Sequence, residues 1–326
     1  MEPLALLVEE FLQEKEKNLS PNTYRIYRFA LQKMLEFFES IGVTTSDGLT
    51  ERNLMRLAAW TAKQPKANVA SVMRAEREGE VDLLTPGGVH VRLRPVRTFY
   101  LWCYRYRIVD ENPFAHDSFC KDFFPRLKDV ELPVVRSADF TKLLRVASKT
   151  RHPLRDQAIV TLLMATGMRA SDLCNLTLSD VTSEPGYIHV RGSKGGKNRS
   201  LPVSRDVKAK VMAYIRQERP DIDSDRVFIA GMGLDIQPLT TNGLRQLIDR
   251  LCKDAGVKHL TPHAFRRGFV TMLDREGVAR TVTQAMLGHT TPVMTDRYSR
   301  LNQEDLRMVM REVDPVRLAL RRSPRE

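Results

Sequence analysis

The chain has 326 residues, a formal net charge of +12 and only four cysteines. Hydrophobic residues make up 42% and charged residues 28%, too apolar for a disordered chain. At roughly 100–200 residues per domain, the length predicts about two folded domains. No apolar run reaches the roughly 18–20 residues of a bilayer span. The N-terminus carries acids where a signal peptide is basic, and Cys103, Cys120, Cys174 and Cys252 form no CxxC pair. Membrane insertion, secretion, a disulfide scaffold and a zinc ribbon are therefore disfavoured, and a soluble cytoplasmic protein is expected. The charge is unevenly placed: residues 1–140 hold 20 basic and 20 acidic side chains, residues 141–326 hold 32 and 20. The second half is thus expected to face a polyanion.

The first third reads as helices. Residues 3–17 alternate apolar and charged positions at helical spacing. In the next helix Ser20 can cap and Pro21 suits the first turn. Tyr27, Leu31, Met34, Leu35 and Phe38 then form an apolar face that ends at Gly42. Helical patterns follow near 50–62 and 66–78. A turn is expected at TPGGVH, around Pro86 to Gly88, and then a helix over 91–107 whose start Pro95 should delay or kink. The result is an all-helical bundle over residues 1–113. Residues 114–135 show no clean period and contain two prolines, which predicts an interdomain linker.

From residue 136 a second, mostly helical domain is expected, with a small antiparallel sheet. Ser137 opens one helix, and LRDQAIVTLLMATG forms another that stops at Gly167. GYIHVRG and NRSLPV flank a Gly/Lys turn and read as a hairpin. Helices resume at 204–218, 240–255, 262–276 and 281–287, with a last one near 302–320.

The residues that could carry chemistry lie in this basic half. In ATGMRASDL, Arg169 follows a helix-ending glycine and hangs from a turn, with Asp172 close enough to hold it. HVRGSKGGKNRSLPV puts Lys194 and Lys197 in a glycine-rich hairpin tip, where a lysine can reach a phosphate or donate a proton. That stretch lacks the GxxxxGK[ST]-then-helix form of a nucleotide loop, so ATP use has no support. In TPHAFRRGFVT, Thr261 caps, Pro262 takes the first helical position, and His263 and Arg266 share a face beside the positive helix N-terminus. Because Pro262 starts the helix between His259 and His263, those two cannot act as HxxxH metal ligands. Finally, MLGHTTPVMTDRYSR sets His289 nine residues before Tyr298. Taken singly, each of these has an ordinary reading as a surface ion pair, solvated hairpin lysines, a first-turn His and Arg, or a surface tyrosine.

Their order, Arg, Lys, His-x-x-Arg, His, Tyr, resembles the tyrosine recombinases, the integrase family of site-specific DNA recombinases. The resemblance covers nearly the whole chain and is nearest the simple two-domain, Xer-like type. It matches ATGMRASDL to G-x-R-x-[ST]-[ED]-L, giving Arg169 and the supporting Asp172. It matches Lys194 to the hairpin lysine, His263 and Arg266 to H-x-x-R, and His289 to L-G-H, with Tyr298 as nucleophile. It implies a helical core-binding domain over 1–113, a catalytic domain over 136–326, and breakage and rejoining of duplex DNA through a 3′-phosphotyrosyl bond. It also implies a homo-tetramer on paired sites whose C-terminal helices exchange between protomers, with a second recombinase or a directionality factor as further partners. No metal or other cofactor is implied. Candidate DNA contacts are Arg25, Arg28, Arg92, Arg94, Arg97, Lys197, Arg199 and Arg267. A type IB topoisomerase, or a binding-only regulator of the same fold, are the competing classes. The connection over 76–92 is longer than usual for such a bundle.

Overall fold

The computed structural model describes residues 2–66, 81–127, 132–192, 198–231, 235–288 and 303–321, the last without the side chains of 303–305 and 321. The chain divides into two compact units, after residue 130.

The first unit is built from helices α1 (Leu4–Glu16), α2 (Pro21–Ser40), α3 (Glu51–Ala62), α4 (Pro86–Arg105) and α5 (Asp117–Phe123). Ser20 caps α2 by accepting the Thr23 N–H at 3.3 Å, with Pro21 in the first turn as the sequence suggests. Phe11, Leu31, Phe38, Phe99 and Cys103 meet in a core without measurable exposure.

Two expectations fail here. The TPGGVH stretch is not a turn: Thr85 accepts the Gly88 N–H at 3.2 Å and starts α4 at Pro86, and the helix continues through a buried Pro95. Pro95 is tolerated because its ring sits in the core, where packing outweighs one lost backbone bond. Nor is 114–135 a linker throughout. Phe114, Phe119 and Phe123 are buried in the first unit's core and pack edge-on or stacked at 5.0–5.7 Å. The Phe119/Phe123 pair, four residues apart, is one face of a two-turn helix, too short to register as a period. The helix expected at 66–78 lies almost entirely outside the described residues. Its flanks pair with each other, Lys66 donating to the Asp82 carbonyl at 2.7 Å and Leu84 to that of Gln64 at 2.9 Å.

The second unit contains α6 (Ser137–Ala147), α7 (Pro153–Thr166), α8 (Ala170–Asn175) and α9 (Leu178–Thr182). The hairpin β1 (Tyr187–Val190) and β2 (Arg199–Pro202) follows, then α10 (Arg205–Gln217), the strands β3 (Ile229–Ala230) and β4 (Gln237–Pro238), and α11 (Thr241–Asp254). The unit ends with α12 (Pro262–Arg275), α13 (Arg280–Leu287), α14 (Gln303–Glu312) and α15 (Pro315–Arg321). Every residue of α7 from Ala158 to Thr166 is buried, so α7 is the central helix, with α6, α10, α12 and α15 packed against it. β1 and β2 pair antiparallel from Tyr187 opposite Pro202 to Val190 opposite Arg199, the hairpin expected from the two segments that flank the Gly/Lys stretch.

The single last helix of the sequence reading is two helices. Pro315 starts the second, and Asp314 Oδ1 accepts the N–H groups of Val316 and Arg317 at 2.9 and 3.3 Å. Leu306, Met310, Val316 and Ala319 are buried in this unit's own core. Among the described residues, no helix is long and apolar enough to cross a membrane.

Candidate active site

Three turns of the second unit converge. Gly167 ends α7 in the left-handed conformation, φ +57°, and the chain then runs through Arg169 into α8. Gly288 ends α13 the same way, φ +65°. Between them stands the first turn of α12, with Pro262 at its start. Thr261 makes no side-chain cap, contrary to expectation; its carbonyl accepts the Ala264 N–H at 2.8 Å instead.

Arg266 joins these turns. It is 4% exposed, and its Nη1 donates to the Gly167 carbonyl at 2.9 Å while its Nη2 donates to that of Leu287 at 3.0 Å. Burial, followed by repulsion from Arg169 and Arg199 and partly offset by Asp172, pushes its pKa down to about 10. At that value it is still cationic at neutral pH.

His263 lies one turn earlier, exposed, its pKa held below the ordinary histidine value by partial burial and then by Arg267, Arg266 and Arg169. It therefore stands as a neutral imidazole at pH 7. The Arg169 side chain is exposed at the helix end of the turn. Arg169, His263 and Arg266 lie close enough together for their charges to influence one another.

Asp172 behaves differently from expectation. It is 3% exposed, and its Oδ2 accepts the Arg169 backbone N–H at 3.2 Å and the Arg199 Nη2 at 2.6 Å. It fixes the backbone from which Arg169 hangs, by accepting the main-chain N–H and not the guanidinium. Its Oδ1 has no hydrogen-bond partner among the described residues.

Arg199, read from sequence only as a DNA contact, is the residue whose place the sequence did not disclose. Besides Asp172 it reaches the Met286 carbonyl through Nε at 3.1 Å. Arg267, read the same way, turns Nε and Nη2 onto the Pro133 carbonyl at 2.8 and 2.5 Å, and Val135 donates to the Ala264 carbonyl at 3.3 Å. The segment that enters the second unit is thereby strapped to α12. Lys194, Lys197, His289 and Tyr298 lie outside the described residues. Among the described residues, no three His, Cys, Asp or Glu side chains gather as a metal set.

Residues 133–305 match the phage integrase family. The chain belongs to that family. Tyrosine recombinase XerC of Bacillus pumilus is 31% identical over 314 residues, 93% of each chain. Among solved structures, the Tn1549 transposon integrase in complex with circular intermediate DNA aligns over 95% of this chain and 99% of its own, with TM-score 0.65 and 19% identity. A lambda integrase tetramer bound to a Holliday junction aligns over 89% of this chain and 78% of its own, with TM-score 0.61 and 14% identity. The protein is thus a tyrosine recombinase, a site-specific DNA recombinase with the largely helical fold of its relatives.

In the first unit of the recombinase, the candidate DNA contacts sort by exposure. Arg25, Arg28, Arg94 and Arg97 are exposed, although Arg25 also donates to Asn22 at 2.9 Å and Arg97 lies over Phe114 at 5.8 Å. Arg92 is half-buried, over the exposed ring of Phe29 at 5.1 Å. Phe29 follows Arg25 by four residues on α2, so α2 and α4 present one basic and aromatic surface.

Proposed function

We propose that Tyr298 attacks the scissile phosphate and that Arg169, Lys194, His263, Arg266 and His289 carry the transfer. The Tyr298 Oη–phosphorus bond forms as the phosphorus–O5′ bond breaks, leaving a 3′-phosphotyrosyl link and a free 5′ hydroxyl. A tyrosine of ordinary pKa near 10 is roughly one part in a thousand phenolate at pH 7, so the attack needs a base and a positive field. Neutral His263 takes the phenolic proton. Arg169 and Arg266 stabilise the charge that grows on the non-bridging oxygens, and His289 adds a further donor. Lys194 protonates the departing O5′, and a 5′ hydroxyl from a partner strand reverses the steps. Bond energy is kept in the phosphotyrosyl link, so the exchange requires no external energy source.

The observation that carries this reading is the seat of Arg266, which ties α12 to both the Arg169-bearing turn and the turn that precedes His289. The first unit serves as the core-binding half of a DNA clamp, through Arg25, Arg28, Arg92, Arg94 and Arg97. The likeness to a lambda integrase tetramer on a Holliday junction supports a homo-tetramer on paired duplex sites. The break between α14 and α15 at Asp314–Pro315 is the place from which α15 would exchange to a neighbouring protomer. A second recombinase or a directionality factor would act on that assembly, and the DNA-associated cytoplasm is its place of action.

The test is a duplex site selected by the protein from a random pool, then remade with a nick that traps the cleaved strand. Wild type gives an SDS-resistant protein–DNA adduct and Tyr298→Phe gives none. An adduct from Tyr298→Phe overturns the nucleophile assignment, and no adduct from wild type overturns the catalytic set.

A further inference from the structure

Arg199 is the most connected side chain near the site that the proposed chemistry leaves without a task. It is the first residue of β2, where the hairpin arms close: Gly192 donates to Asn198 Oδ1 at 3.0 Å, and Arg199 lies opposite Val190. From there its side chain crosses to two other segments. Nη2 meets Asp172 Oδ2 at 2.6 Å, and the same oxygen accepts the Arg169 N–H at 3.2 Å. Nε meets the Met286 carbonyl at 3.1 Å, and the stem fills the space over Gly288, where a Cβ would stand 3.2 Å from Arg199 Cδ and Nη1.

The pair is withdrawn from water, with the Arg199 side chain 10% exposed and that of Asp172 1%. A guanidinium seated in this way has its charge answered by a carboxylate and two of its donors committed. It is badly placed to serve as a phosphate contact, the role its sequence position suggests. We infer that Arg199 is a positioning residue, a forked brace that holds the lysine-bearing hairpin, the Arg169 turn and the Leu287–Gly288 turn in one register.

Two features make the brace specific to arginine. First, Nε and Nη2 point in fixed directions from one planar group, so a carboxylate on one segment and a carbonyl on another are held at a set separation. A lysine has one nitrogen and cannot hold both in that geometry. Second, Gly288 allows the close approach, since a methyl group there would meet the stem. Arg266 makes the corresponding tie between Gly167 and Leu287, so two arginines bridge the same pair of turns from different sides. Arg266 approaches from α12 and Arg199 from the hairpin. Only the second tie includes the segment that leads into Lys194.

The inference rests on the proposed catalytic set, and its test separates the two. The full-length chain is prepared as Arg199→Gln, Arg199→Lys and the double variant Arg199→Met with Asp172→Leu, which removes both charges of the pair together. Each is measured for DNA affinity against salt concentration on the selected duplex, and for the single-turnover rate of adduct formation at saturating DNA. Melting of each variant is followed alongside.

Affinity and its salt slope are expected to match wild type. The saturated rate is expected to fall about 100-fold in all three, the effect of an ångström-scale misplacement of reacting groups. A wild-type rate from Arg199→Lys would show that charge alone suffices and would overturn the brace. A salt slope lowered by about one phosphate contact, with the saturated rate unchanged, would make Arg199 a DNA contact and overturn it equally. If the double variant melts as wild type does and cleaves as fast, the brace is also refuted. Absence of adduct from wild type itself would instead refute the catalytic set.

Discussion

The turn that ends α7 sets both the direction of Arg169 and the carbonyl that Arg266 grips, and two glycine substitutions can weigh what holds it. Gly167 has φ +57°, and a Cβ there would lie 2.7 Å from Phe269 Cδ1 and 3.2 Å from Leu287 Cδ2. Gly277 has φ +74° with nothing within 4 Å of its Cβ position. Gly277→Ala therefore carries only the left-handed backbone cost, about 1–2 kcal/mol. Gly167→Ala carries that cost and an overpacking cost of about 1–3 kcal/mol, because Phe269 is fully buried and cannot swing aside.

Urea unfolding of the two variants, read on the transition of the second unit, should separate them by about 1–3 kcal/mol, a large share of a stability of roughly 5–15 kcal/mol. Gly167→Ala should also slow adduct formation at saturating DNA, since the displaced carbonyl is an Arg266 acceptor. Equal losses of stability in the two variants would mean that Phe269 yields to the methyl group. The reasoning that packing fixes this turn would then be wrong.

The proton transfers give two further predictions. Arg267 is the largest of the cationic influences that hold His263 below its ordinary pKa, after burial. Arg267→Gln should let that pKa rise, so His263 protonates at higher pH and the acid limb of the cleavage profile moves up; an unmoved or lowered limb would refute the base assignment. Lys194→Ala should cleave an ordinary strand slowly. It should regain most of its rate on a strand with sulfur in place of the 5′-bridging oxygen, because a thiolate leaves without a proton. Rescue of Lys197→Ala in place of Lys194→Ala would transfer the acid role to Lys197.

What the sequence disclosed divides along a physical line. Long helices with regular apolar faces, such as α2 and α11, were legible because burial of one stripe repeats every 3.6 residues. Pro262 and Gly167 marked helix ends through their backbone preferences alone. The Phe114, Phe119 and Phe123 cluster was not legible, since two turns of helix hold too few residues to show a period. The start of α4 was misread because Pro86, Gly87 and Gly88 carry turn chemistry, while the Thr85 cap and the packing of Val89 and Leu93 decide for helix. Within the site, the motif spacing named Arg169, Asp172, His263 and Arg266. The partner of Asp172 was hidden, because Arg199 is 27 residues away and nothing local ties the two.

The electrostatics of this cluster explain how so much positive charge is held together before DNA arrives. Burial first, and then repulsion from Arg169 and Arg199, lower the Arg266 pKa to about 10. Of the charges acting on Arg266, that of the Asp172 carboxylate opposes this. Arg199 engages that carboxylate at 2.6 Å, while Arg266 is seated on the Gly167 and Leu287 carbonyls. The repulsion on Arg266 is a cost carried by the folded protein and supported by a core in which α7 is buried along most of its length.

On the proposed catalytic role, a phosphodiester held by Arg169 and Arg266 would offset that repulsion. The further charge that builds on its non-bridging oxygens in the transition state would offset more of it. Interactions that strengthen toward the transition state raise the rate, whereas equal stabilisation of bound DNA would only tighten binding. The same argument separates the two halves of the chain. On the proposed DNA contacts, arginines on the exposed faces of α2 and α4 would need only to meet phosphates in water, so their unit can remain neutral overall. The second unit instead buries Arg266 beside the exposed Arg169, and Asp172 neutralises the arginine that braces the site.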